Sequence, residues 1–174
     1  MGKSRMIDEF SKHYFVVPIN LRDGKTGDLR FHLLFSFLRY NAVNPGYPPS
    51  DAEVRDWFRA SRLTSSESDI RFSAFLAALF EKIDEVISKP ESYIRQRIAE
   101  SLDLTEEEKS AALQNYPKSL AGQFRLLMTV GQKFSAQGSL RTKFYADVME
   151  RADEASSRLY VASTLLTVKL AIRK

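Results

Sequence analysis

Apolar positions in the second half of the chain recur at helical spacing. Over 69–87, Phe72, Phe75, Leu76, Leu79, Ile83 and Val86 fall on one face at i, i+3, i+4, i+7 intervals, which predicts a strongly apolar central helix that Asp69 caps. A longer seam follows. Leu140, Phe144, Val148, Ala152, Ala155, Leu159, Ala162 and Leu166 recur every three or four residues, which predicts a last helix over thirty residues long that Ser139 caps. A helix of that length outgrows a small bundle, so part of it is expected to pack on another copy. Within it, Leu166, Val168, Leu170 and Ile172 also alternate, so 163–172 reads as helix or as strand.

Shorter helices are marked by their caps. Ser50 with Glu53 forms a capping box that opens a helix to about Ala60, and Thr64 to Ser68 reads as a polar connector. Pro90 suits a first helical turn running to about Leu102, with Glu91 and Arg95 placed to pair. Thr105 with Glu108 makes a second box, for a helix ending near Asn115. Lys118 or Ser119 opens the next helix, predicted to run to Gln137 and to stop at Gly138.

The N-terminal part reads differently. Residues 14–21 (YFVVPINL) are β-branched and aromatic around Pro18, which predicts an extended arm or an edge strand. A turn follows at 22–27. Asp28 then caps a helix over 29–40, with a hairpin over 14–36 as the competing reading. The stretch 44–49 (NPGYPP) is a loop that divides an arm, turn and first helix (1–49) from a helical core (50–174) within one folded unit. Together these elements predict a mainly α, single-domain bundle of six to seven helices, with an extended N-terminal arm or edge strand and a long C-terminal helix.

Charge changes the picture. Residues 109–146 hold Lys109, Lys118, Arg125, Lys133, Arg141 and Lys143 and no Asp or Glu, whereas 51–108 hold fourteen acids against eight bases. The net charge of +4 conceals this division. On the predicted 118–137 helix, Leu120, Phe124, Leu127, Gly131 and Phe134 form the core face; Lys118, Arg125, Thr129 and Gln132 lie opposite, with Lys133 nearby. A cationic ridge of long side chains matches a phosphate backbone. Tyr116 and Tyr145 lie among these cations as candidate base-stacking side chains, while Phe134 and Phe144 belong to core faces.

Other chemistry finds little footing. With no cysteine, disulfides, thiolate nucleophiles and Cys-bound zinc are excluded; His13 and His32 lack ligand spacing, so no metal or cofactor is expected. Glu81, Asp84 and Glu85 share a face but read as a solvated acidic surface. The GKTG at 24–27 lacks the spacing of a phosphate loop, and no GxSxG turn is present. The helix pair in 50–80 is too widely connected, and its second helix too apolar, for a helix-turn-helix. Met1 to Asp8 has no apolar signal core, Met6 spoils a myristoylation motif, and no apolar run reaches membrane-spanning length.

The expectation is therefore a soluble intracellular protein, cytoplasmic or nuclear, without catalytic residues. It is expected to bind nucleic acid, RNA or a single strand above all, and to self-associate through 14–21 and 140–172. Such a chain would be a nucleocapsid- or coat-like subunit, or a small ribonucleoprotein subunit. The alternative is a protein–protein adaptor or regulatory subunit that assembles through the arm and the last helix.

Overall fold

The computed structural model describes residues 9–21, 49–59, 64–133 and 136–172, with side chains as far as Arg158. The chain is mainly helical. Among the described residues, six helices of eight or more residues follow in order: α1 (Ala52–Arg59), α2 (Ser65–Ser88), α3 (Pro90–Glu100), α4 (Glu106–Gln114), α5 (Leu120–Thr129) and α6 (Ser139–Ile172). Among the described residues there is no strand. The expected cap at Asp28, the helix 29–40, the turn at 22–27, His32 and Phe134 lie outside the described residues.

α2 and α6 make the largest packing contact, antiparallel, and the other helices gather around them: α1 and α5 on α6, α3 on α5. The seam predicted for α6 is the one buried. Leu140, Phe144, Val148 and Ala152 face the core, and Ala155 is packed against it. From α2 come Phe75, Leu79 and Val86 as expected, joined by Ala74, Ala78 and Lys82. Phe72 does not join them; it is 53 % exposed. Phe75 lies against Trp57 and Phe58 of α1, with ring centroids 5.6 and 4.9 Å away.

Two helix ends differ from the positions that the sequence pattern predicts. α2 starts at Ser65, not after Asp69, because Thr64 and Glu67 form the capping box: the Glu67 N–H donates to the Thr64 hydroxyl, and the Thr64 N–H donates to the Glu67 carboxylate. The polar stretch taken for a connector is the first turn of the helix. α5 ends at Thr129, eight residues before Gln137. Val130 is extended and Gly131 adopts φ +70°, a left-handed conformation that stops the helix. The alternation in 163–172 does not become a strand, since α6 remains helical through Ile172. α6 therefore spans 34 residues, roughly 50 Å.

α1 begins at Ala52, and the Asp51 carbonyl accepts from the Arg55 N–H at 3.0 Å. The Asp51 carboxylate serves another purpose: it reaches Arg141 at the start of α6, with Nε to Oδ1 at 2.7 Å and Nη2 to Oδ2 at 2.6 Å. Both side chains are buried, 5 % and 3 % exposed. The arm closes over this pair. The Pro18 carbonyl accepts from Arg141 Nη2 (2.7 Å) and from the Tyr145 hydroxyl (2.6 Å). The Asn20 N–H donates to Asp51 Oδ2 (2.7 Å), and the Asp51 N–H donates to the Asn20 carbonyl (2.8 Å). Phe15 rests on Phe124 with centroids 4.5 Å apart, and Val17 packs against the core. The arm is thus an extended segment held by side chains and single backbone bonds to its own chain.

Candidate nucleic-acid interface

The six cations expected to bind nucleic acid, three of them on the ridge of the 118–137 helix, are distributed over several surfaces. Lys109 is folded back on α4, with Nζ 2.8 Å from Glu106 Oε1. Arg125 is half-buried on α5. Lys133 is exposed in the loop after Gly131, not on a helix, because α5 has already ended. It shares a concavity of ≈ 420 Å³ with Lys143 of α6, but Asp103 and Glu108 line the same concavity and balance the charge. Arg141 is not on the surface at all: it is 4 % exposed and committed to Asp51. The sequence pattern offers it as a phosphate-binding cation; the long-range pairing with a carboxylate ninety residues away puts it inside.

The two tyrosines fare similarly. Tyr145 is 2 % exposed, and its hydroxyl is bonded to the Pro18 carbonyl, so it presents no ring face to a base. Burial above all pushes its pKa well up, against the pull of Arg141. Tyr116 is half-buried, with the Arg95 guanidinium 4.1 Å above its ring. Its hydroxyl is buried without a hydrogen-bond partner, and burial, more than the opposing Arg95 charge, raises its pKa.

One surface does gather cations. Lys118, just ahead of α5, faces Lys89 and Arg95 of α3 across an open groove of ≈ 750 Å³. Glu91 is the carboxylate in this groove, and it is already bonded to Arg95 Nε at 2.9 Å. Ser92, Leu120 and Gln123 complete the lining, and Leu120 is 40 % exposed. Two helix starts border the groove. α5 is capped by the Ser119 hydroxyl, which accepts from the Gly122 N–H at 3.1 Å. α3 starts at Pro90 with Lys89 at its N-cap and no side-chain cap; Lys89 is also the C-cap of α2, so the two helix dipoles oppose each other there and the side-chain charges set the sign of the groove. Groove chemistry of this kind holds anions: spaced positive charge, donors at a helix start and an apolar wall. In the sequence Arg95 reads only as a partner of Glu91 and Lys89 belongs to no motif, because the pairing of α3 with α5 that unites them leaves no mark on the linear pattern.

A second charged cluster ties α2 to α6. Lys82 is 1 % exposed, with Nζ 3.0 Å from Glu85 Oε1 and 2.9 Å from Asp147 Oδ2. Arg97 lies 4.0 Å from the same Asp147 oxygen, and Arg151 bonds the other Glu85 oxygen. Burial works against the Lys82 charge, but Asp147, Tyr93 and Glu85 outweigh it and raise the pKa. Burial likewise pushes the Glu85 carboxyl up, and Lys82 and Arg151 outweigh it, holding its pKa below the ordinary carboxylate value. A depressed carboxylate contributes stability that is present above its unfolded pKa and lost as pH falls through the folded one. The acid-side loss of stability, below about pH 4.5, should therefore shrink in Glu85→Gln by at most about 1 kcal/mol, since the side chain is partly solvated. Thermal unfolding of both proteins at pH 7 and pH 3.5 measures this; equal losses would remove Glu85 from the account.

Of the expected carboxylate face, Glu85 is thus engaged, while Glu81 and Asp84 are exposed. Among the described residues no group of acids or histidines is arranged to hold a metal ion, and no helix is long and apolar enough to cross a membrane. No family model matches the chain, and neither a curated protein nor a solved structure does.

Proposed function

We propose that this chain is a non-enzymatic, self-associating nucleic-acid-binding protein that holds the phosphate backbone of a single strand, RNA above all, in the groove between α3 and α5. The observation that carries this reading is the convergence of Lys89, Arg95 and Lys118 on one open groove whose carboxylate, Glu91, is already paired. Flexible lysines and a guanidinium suit successive phosphates, and exposed Leu120 offers an apolar surface to a base. A nucleocapsid- or coat-like subunit, or a small ribonucleoprotein subunit, would use such a groove without reading sequence.

Of the two segments expected to join copies, the arm 14–21 is bonded to its own α6 through Pro18. The extended length of α6 is the better support for self-association. The adaptor alternative has support of its own in Phe72 and Phe80, large apolar side chains that α2 turns to solvent.

Binding of a fluorescent single-stranded oligonucleotide, followed by anisotropy, tests the groove. With Arg95 held by Glu91, the two lysine contacts predict a log–log salt slope of about −1.4. Lys89→Glu with Lys118→Glu should weaken binding at least tenfold, whereas Lys133→Glu with Lys143→Glu should change it far less. Equal affinity of the first variant and the unaltered protein would refute the assignment; no binding by the unaltered protein would leave the adaptor reading in place.

A further inference from the structure

α2 has two apolar faces, and α6 covers one of them. Phe75, Leu79 and Val86 are buried on that side. At 100° per residue, Phe72, Leu76, Phe80, Ile83 and Ile87 fall within an adjacent arc of about 80°. Phe72, whose ring lies 6.2 Å from that of Phe58, is 53 % exposed and Phe80 65 %; Leu76 and Ile87 are half-buried, and Ile83 joins the stripe to the core. A contiguous apolar stripe of this length marks an interaction surface.

Its border names the partner's chemistry. Asp69, Glu81 and Asp84 lie on the stripe or on its solvent side and all are exposed, with Glu81 also in the field of Arg151. A complementary occupant is apolar, basic and free of acids. This chain contains such a segment. Residues 159–172 (LYVASTLLTVKLAI) hold Lys169 and no acid, and Arg158 precedes them. They continue α6 as helix.

That segment does not reach the stripe of its own α2. α6 runs antiparallel to α2, with Asp147 at Lys82 and Asp153 at Arg71. From Asp153 it heads for the α2 start at Ser65 and, by helix rise, passes it by about 20 Å. We infer that residues 159–172 of one copy dock on the 72–87 stripe of a second copy. The exchange closes as a dimer when reciprocal and propagates when it is not. The inference rests on the self-association part of the proposed function and gives it a surface.

The absence of cysteine makes the test clean. Full-length Glu81→Cys and Lys169→Cys variants, mixed and mildly oxidised, should yield a mixed disulfide of twice 19.9 kDa. Light scattering should give the unaltered chain at least twice that monomer mass, and Phe80→Glu the monomer mass itself. Phe80 is solvent-facing, so circular dichroism should show the variant folded. A monomeric unaltered chain would overturn self-association, and this interface with it. An oligomer whose mass Phe80→Glu leaves unchanged would overturn the stripe alone. Loss of the oligomer in Phe80→Glu without any mixed disulfide would overturn 159–172 as the occupant.

Discussion

Replacing Arg141 with alanine should lower folding stability by about 3–5 kcal/mol, the usual loss when one member of a buried ion pair is removed. Three acceptors each lose one donor together: Oδ1 and Oδ2 of Asp51 and the carbonyl of Pro18. The Asp51 carboxylate keeps the Asn20 N–H at 2.7 Å but no longer has a counter-charge. Its side chain is 3 % exposed, so water does not compensate. The arm should loosen at the same time, because one of the two donors to Pro18 disappears. Arg141→Met with Asp51→Leu should recover part of the loss, since removing both charges ends the penalty of leaving one alone. Urea unfolding followed through the single tryptophan, Trp57, gives the values. A loss below about 1 kcal/mol for Arg141→Ala would place this pair with weak surface bridges and undo the account of how the arm is held.

Gly138→Ala should be the next most damaging change, at about 3 kcal/mol, the upper end of overpacking costs. A Cβ at Gly138 would stand 2.0 Å from the Val130 carbonyl oxygen and 3.3 Å from the Gln132 nitrogen. Those atoms are backbone, so relief requires the whole 130–132 turn to move off the start of α6. That start is anchored, because the Gly138 carbonyl accepts from the Thr142 N–H at 3.1 Å. The conflict is purely steric, in contrast to Gly131, where φ is +70° and the nearest obstacle, Leu104 Cδ2 at 2.6 Å, is the movable end of a side chain. Gly131→Ala should therefore cost less, about 1–2 kcal/mol of left-handed strain. Equal midpoints for Gly138→Ala and the unaltered protein in thermal unfolding would contradict the close crossing.

The helical class and the buried seam of α6 were legible because both rest on local periodicity. Leu140, Phe144, Val148 and Ala152 repeat every four residues and are the residues that face the core. The Thr105 and Glu108 box and the Glu91–Arg95 pair were equally local, and both stand as read. Errors arose where two local signals competed. Asp69 offers a cap, but Glu67 lies three residues after Thr64, the spacing that a box requires, and the box starts the helix in what reads as a polar connector. Gly131 was counted as a core-face residue when its freedom at positive φ was the decisive property.

The candidate site was much less legible. A linear charge count cannot tell a cation that will face solvent from one that a distant carboxylate will draw inside. Arg141 and Lys143 are two residues apart, yet the first is 4 % exposed and the second lies on the surface. The groove brings Lys89 next to Lys118 through the packing of α3 on α5, a tertiary event with no periodic trace. The acidic middle of the chain does neutralise part of the basic third, but by single pairings, Asp51 with Arg141 above all.

The way the arm is anchored also sets an order of events during synthesis. Pro18 precedes Arg141 by 123 residues and Tyr145 by 127. At 5–20 residues per second, a ribosome needs roughly 6–25 s to make the intervening chain. Throughout that interval Phe15 and Val17 have been made, but the residues that bury them or bond their neighbours are incomplete. The nascent chain therefore carries an apolar strand-like segment in search of cover, and helices made in the meantime have only one another to fold against. Closing so long a loop comes late, after the local helices have formed. Chaperone capture of nascent chains should accordingly centre on this segment and cease when α6 leaves the exit tunnel.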